Sequence, residues 1–278
     1  MVHRFLVGVC VVVLSASPLW AADNMVNEDG EPLSLNELIA ETSYPDPVAD
    51  LAETLDEPQI RVEALKEAAL SYGARGGLAK RTSEIRASLA QRESNMDRIY
   101  DFKRLLIPAP SGLLIEPPII TEGEDATLIE TGGQLAAVAD KIYNINRNAR
   151  IVSSPRNWRA YLEREWGVVQ LPPQVLLPRT DDERAAWAKN MAIGWEEGVK
   201  QADEIFQADL NKLNADYTGM IRYRKLLAQG IVSAPYALQI DRGVTGGGEE
   251  MRVGDRAVQI TGPSQLQTGA FEWQPVPR

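Results

Sequence analysis

The 278-residue chain has a single cysteine and a single histidine, and both lie near its start, as Cys10 and His3. Residues 1–21 read as a secretion signal. Arg4 supplies the positive end, Phe5 to Leu14 the apolar core, and Pro18-Leu19-Trp20-Ala21-Ala22 the small-residue exit, with cleavage expected after Ala21. A chain that has shed this segment carries no imidazole and no thiol. Ser-His-Asp and Cys-His catalysis, zinc held by His or Cys, haem ligation by either, and disulfides are all excluded. Carboxylate chemistry, a Ser-Lys pair or an oxygen-ligated metal would remain, and no cofactor and no metal are expected.

Two further scarcities narrow the class. No second apolar run reaches spanning length, so the mature chain is not expected to be an integral helical membrane protein. The formal net charge of -10 argues against a nucleic-acid-binding surface, because phosphate contacts need clustered Lys and Arg. Cys10 is also a poor lipidation site: Val9 precedes it where a lipobox needs a small residue. The expectation from these features is a protein exported across the inner membrane.

What the chain does contain is centred on Ile99 to Ile120, IYDFKRLLIPAPSGLLIEPPII. Ile99, Phe102 and Leu106 continue a helical spacing, and then Pro108, Pro110, Pro117 and Pro118 forbid helix. Leu113, Leu114, Ile115, Ile119 and Ile120 make this run too apolar for a solvated linker. It reads as an extended strap on a hydrophobic surface, and these five residues are its candidate interface. Glu116 is a charge inside the strap that needs either a partner or solvent; Arg104 is the candidate partner.

The rest of the chain is expected to comprise an acidic N-terminal extension over 22–57 and one α+β domain over 58–278. Ser34 is placed to cap a short helix containing Leu35, Leu38 and Ile39. Pro58 opens a helix with Val62, Leu65, Ala69 and Tyr72 at helical spacing, and Gly73, Gly76 and Gly77 mark either a break or a close backbone approach. A second helix is expected from about Leu78 to Leu106. Beyond the strap come a strand at Ala126–Glu130, a turn at Thr131-Gly132-Gly133, and two strand segments between Leu135 and Val152. Ser154-Pro155 is read as a helix start, and Leu171–Pro178 as a second apolar strap.

Thr180-Asp181-Asp182-Glu183 is a capping box. It opens an apolar stripe through Trp187, Met191, Trp195, Phe206, Leu213 and Tyr217 to about Leu227, a helix of roughly 70 Å if unbroken. The C-terminal quarter reads as a β-meander. Tyr236–Thr245 is its first strand, Gly246-Gly247-Gly248 a turn, Gly254-Asp255 a hairpin turn, and Gly269–Trp273 a last strand. Phe102-Lys103-Arg104-Leu105-Leu106 is echoed by Tyr223-Arg224-Lys225-Leu226-Leu227.

The carboxylates offer little chemistry. Glu196-Glu197 and Asp203-Glu204 fall on the polar side of the long stripe, and adjacent helical residues do not face each other. Glu93-Ser94 matches the Glu-Ser pair of lytic transglycosylases, but the pattern around that pair is missing.

Six groups of residues carry a resemblance. Gly73-Ala74-Arg75-Gly76-Gly77, Met96-Asp97-Arg98 and Pro108 to Pro118 are similar to the DotC family, as are Asn157 to Leu162, Gly194 to Val199 and Arg222-Tyr223. DotC proteins are outer-membrane-core components of type IVB secretion and conjugation machines. The resemblance implies a non-enzymatic structural subunit beside DotD-like and DotH-like partners in a hetero-oligomeric ring, and it brings no catalytic residue with it. DotC proteins are usually lipoproteins, and the poor lipobox at Cys10 departs from that pattern. The alternative reading is a periplasmic peptidoglycan-acting enzyme using carboxylates, and a third is a stand-alone periplasmic binding protein.

Overall fold

A computed structural model describes residues 26–27, 30–42, 58–109, 112–129, 136–167, 169–269, 271 and 273. The signal segment with Cys10, most of the acidic extension and the Thr131-Gly132-Gly133 turn lie outside the described residues. The fold is mixed α+β, with long helices and antiparallel strand pairs, the last of them C-terminal. Among the described residues no helix is long and apolar enough to cross a membrane.

The chain divides into two compact units. One joins the described residues up to Lys80 with Trp166–Val199; the other joins Arg81–Glu165 with Lys200 onward. Helix α2 (Pro58–Gln91) and helix α5 (Asp181–Ala228) each contribute residues to both.

In the first unit, α1 (Leu35–Glu41) forms where expected. The Ser34 Oγ accepts from the Glu37 N–H while the Glu37 carboxylate accepts from the Ser34 N–H, a complete capping box. Leu38 is buried with Leu65, Ala69 and Tyr72 of α2 and Trp187 and Met191 of α5. This part of the acidic extension is therefore a packed element rather than a tether. Leu177 of the second strap joins the same core.

The two long helices meet through glycine. A methyl group built at Gly73 would collide with the Met191 carbonyl, and one at Gly77 with that of Trp195. Reciprocally, Gly194 faces the Leu70 carbonyl and Gly198 that of Ala74. Each helix thus presents two glycines four residues apart, one turn, to the other's backbone. The paired numbers rise together, so the helices run parallel here. Of the two readings of these glycines, a break or a close backbone approach, the structure has the close approach, and α2 continues unbroken to Gln91. Arg61 ties the same helices nearer their starts: its Nε and Nη2 donate to Glu183 at 2.9 and 3.1 Å. Glu183 also accepts from the Thr180 N–H, and the Thr180 Oγ1 accepts from the Glu183 N–H, as the capping box predicted.

In the second unit, α2 ends at Gln91 and a short helix α3 (Glu93–Ile99) and a 3-10 turn (Phe102–Leu105) follow, in place of one helix to Leu106. The strap then supplies β1 (Ile107–Pro108) and β2 (Leu114–Glu116), and β5 (Arg150–Val152) completes a three-stranded antiparallel sheet in the order β1-β2-β5. Between β2 and β5 the chain makes a long hairpin of β3 (Ile119–Ile129) and β4 (Ala136–Arg147). A single helical turn, α4 (Arg159–Leu162), follows. It starts at Trp158 rather than at Ser154-Pro155, and Asn157 Oδ1 accepts its first free N–H, from Arg159.

Helix α5 runs through Gly219 without interruption. Gly219 is the seat of the strap: a Cβ there would strike Ile119 and crowd the Ile120 backbone. A second hairpin, β6 (Tyr236–Gly247) with β7 (Glu250–Gly262), follows. Its turn is Gly248-Glu249, with Gly248 at φ 66°. Gly254-Asp255 is not a turn. Asp255 pairs with Gly243 inside the ribbon while Arg242 and Gly254 bulge out, both glycines having positive φ. The expected meander is thus one bulged hairpin, and neither Gly269 nor Trp273 lies in a strand.

Candidate functional site

The sequence gives Glu116 a charge in an apolar strap, and the fold supplies its partners. In the β2–β5 register Glu116 sits directly opposite Arg150, so strand pairing alone brings the two side chains together. The loop after β5 then returns Arg156 to the same carboxylate. Arg150 donates through Nε at 3.1 Å and Nη2 at 3.0 Å, and Arg156 through Nε at 2.8 Å and Nη2 at 2.6 Å. Arg104, the partner expected from sequence, pairs instead with Asp101 and is largely exposed.

Arg156 has a second carboxylate. Its Nη1 donates to Asp216 Oδ2 of α5 at 2.7 Å and to the Tyr161 hydroxyl of α4, which itself donates to Asp216 at 2.8 Å. Arg147, at the end of β4, approaches Asp216 to 3.6 Å. Six elements or loops therefore meet at two buried acids. Burial alone would raise the pKa of Glu116, but the two guanidinium groups outweigh it and hold it below the ordinary carboxylate value. Burial pushes the Tyr161 phenol up to about 12.

This geometry limits the chemistry. Four N–H bonds fill the four lone-pair directions of an ionised carboxylate. Glu116 is thus neither protonated to act as an acid nor free to act as a base. It locks the strap to β5 and to α5.

The other carboxylates singled out from sequence do not gather. Glu93 pairs with Arg159, which also bonds Asp97 at 2.9 Å and lies 4.5 Å above the Trp158 ring. Glu196 and Glu197 are exposed, Asp203 pairs with Arg81, and Glu204 lies 4.0 Å from Lys200. Of the five strap residues, Ile115, Ile119 and Ile120 are buried within their own unit; Leu113 and Leu114 are half-buried.

The exposed apolar surface lies elsewhere, on the hairpins. Tyr236, Leu238 and Ile240 alternate along one face of β6 and are 63, 42 and 44% exposed. Val244, Met251 and Val253 nearer the turn are also exposed, as are Val138 and Ile142 of β4. The period-two alternation was visible in the sequence.

Residues 59–275 match the family T4SS_TraI, described as type IV secretory system, conjugal DNA-protein transfer. No curated protein matches the chain.

Proposed function

The chain belongs to the type IV secretory system family of conjugal DNA-protein transfer, and from that premise we propose that it is a DotC-like structural subunit of the outer-membrane core. In this reading it acts in the periplasm and helps to place DotD-like and DotH-like partners at the outer membrane, within a hetero-oligomeric ring. The family match over most of the chain is the observation that carries it.

Two features support the structural part of the reading. Contiguous exposed apolar side chains on a soluble protein mark interaction surfaces, and both hairpins carry them. Meanwhile the buried acid in the strap is committed to arginine on every lone pair, which suits a fixed scaffold better than a catalytic centre. The strap residues Ile115, Ile119 and Ile120 then serve to build the subunit, and the face of β6 with Tyr236, Leu238 and Ile240 meets a neighbour.

Deletion of the gene tests the reading directly. Conjugal or effector transfer is expected to fall and to return on complementation; undiminished transfer by an otherwise active machine would refute it. A zymogram with the purified protein addresses the peptidoglycan-acting alternative, and cleared peptidoglycan would favour that alternative.

A further inference from the structure

An open cleft of about 800 Å³ lies over the Glu116–Arg156–Asp216 cluster. Its lining brings together Arg147, Arg150, Arg156, Arg164 and Lys212 with only two carboxylates, Glu163 and Asp209. On a chain of net charge -10 this is a local reversal of sign.

Most of these charges are already spoken for, and the remainder is cationic. Asp209 is held by Arg164, and Glu163 lies 3.6 Å from Arg159. Arg156 spends four of its five N–H groups on Glu116, Asp216 and Tyr161. Arg150 spends Nε and Nη2 on Glu116 and is 52% exposed, leaving Nη1 facing outward from that pair. Arg147 has only a 3.6 Å approach to Asp216 and is 43% exposed. Lys212 is exposed and makes no ion pair among the described residues. Glu116 holds Arg150 from one side, so its free N–H groups are pre-oriented and lose little freedom on binding.

We propose that this cleft binds an acidic peptide segment of a partner protein, through Arg147, Arg150 and Lys212. The proposal rests on the assembly reading above. Planar guanidinium groups match carboxylates in two-point contacts. Phosphate shares this guanidinium chemistry, and the displacement measurement below separates the two. A nucleic-acid strand would meet three uncommitted cations against a net negative chain. Glu163 and Asp209 at the lining can also accept N–H bonds from a peptide backbone, which a phosphate does not offer.

The test uses the purified mature chain and a fluorescein-labelled hexaglutamate peptide, read by fluorescence anisotropy. Binding is expected at low salt and is lost at about 1 M salt, where the Debye length is about 3 Å. Lys212→Glu and Arg147→Glu should each weaken it about tenfold. Lys189→Glu, the same charge change on an exposed residue of the first unit, should leave it unchanged. No binding, equal weakening by all three variants, or equally effective displacement by inorganic phosphate would overturn the proposal. Circular dichroism of each variant separates misfolding from lost binding. If the wild-type protein still co-purifies with secretion subunits while the peptide fails to bind, the cleft proposal falls alone. If co-purification fails, the assembly reading falls whatever the peptide does.

Discussion

Arg156 grips Glu116 through two nitrogens, at 2.6 and 2.8 Å, and so fastens the strap to the loop that follows β5. Both side chains are almost out of water, with 14 and 2% exposure. Replacing a whole buried pair by an apolar equivalent is often neutral or stabilising, but breaking one half leaves a charge with nothing to balance it. Glu116→Ala should therefore cost about 3–5 kcal/mol in urea unfolding. A loss below about 1 kcal/mol would mean that Asp216 alone satisfies Arg156.

Helix propensity and packing predict opposite signs at the glycine crossing. On an exposed helix, Gly→Ala gains about 1 kcal/mol. At Gly77 or Gly198 the new methyl meets carbonyl backbone of the facing helix, which has no rotamer with which to yield. Each substitution should destabilise by about 1–3 kcal/mol. Thermal unfolding decides the sign, and a raised midpoint would show that the helices do not approach this closely.

Ile115 is 2% exposed and packed inside its own unit. Ile115→Asp should leave the protein insoluble or without cooperative unfolding by circular dichroism. Folding retained with assembly lost would instead make this part of the strap an interface.

The hairpin face predicts the converse. Leu238→Asp with Ile240→Asp changes two exposed positions, where substitutions usually shift stability by no more than about 0.5 kcal/mol each. Unfolding should be nearly unchanged while co-purification with partner subunits falls. A variant that assembles normally would remove this face from the account.

Glu122 at the root of the first hairpin accepts from Lys141, Arg222 and Tyr143. Lys141 first, then Arg222 and Tyr143, draw its pKa down to about 2 against a smaller opposing effect of burial. A depressed carboxylate contributes stability above its unfolded value, near 4.5, and that contribution is lost as pH falls through about 2. Glu122→Gln should thus lower the unfolding midpoint at neutral pH, with the difference shrinking toward pH 2. Carboxyl-carbon NMR titration of Glu122 gives the value directly.

Local signals in the sequence were followed closely by the structure. Ser34 with Glu37 and Thr180 with Glu183 cap their helices as written, and α5 ends within a residue of expectation. Signals needing a partner were ambiguous. Gly73 and Gly77 read as either a break or a close approach until the backbone of Met191 and Trp195 lies against them. Gly254-Asp255 has hairpin-turn chemistry, but positive φ serves a bulge equally well, and only the pairing of Asp255 with Gly243 decides. Glu116 was legible as a charge requiring an answer. Its answer, Arg150 and Arg156, lies 34 and 40 residues away, the first brought there by strand register and the second by the loop after β5. The echo between Phe102–Leu106 and Tyr223–Leu227 has no local counterpart, since Phe102–Leu105 is a 3-10 turn and Tyr223–Leu227 is the end of α5.

The central claim is that this chain is a working part of a secretion core. Its most direct test is affinity purification of a tagged chain from envelopes solubilised in mild detergent, with identification of what comes along. The account predicts stoichiometric recovery of other type IV core subunits. Recovery of none, from cells whose machine is assembled and transferring, would contradict it.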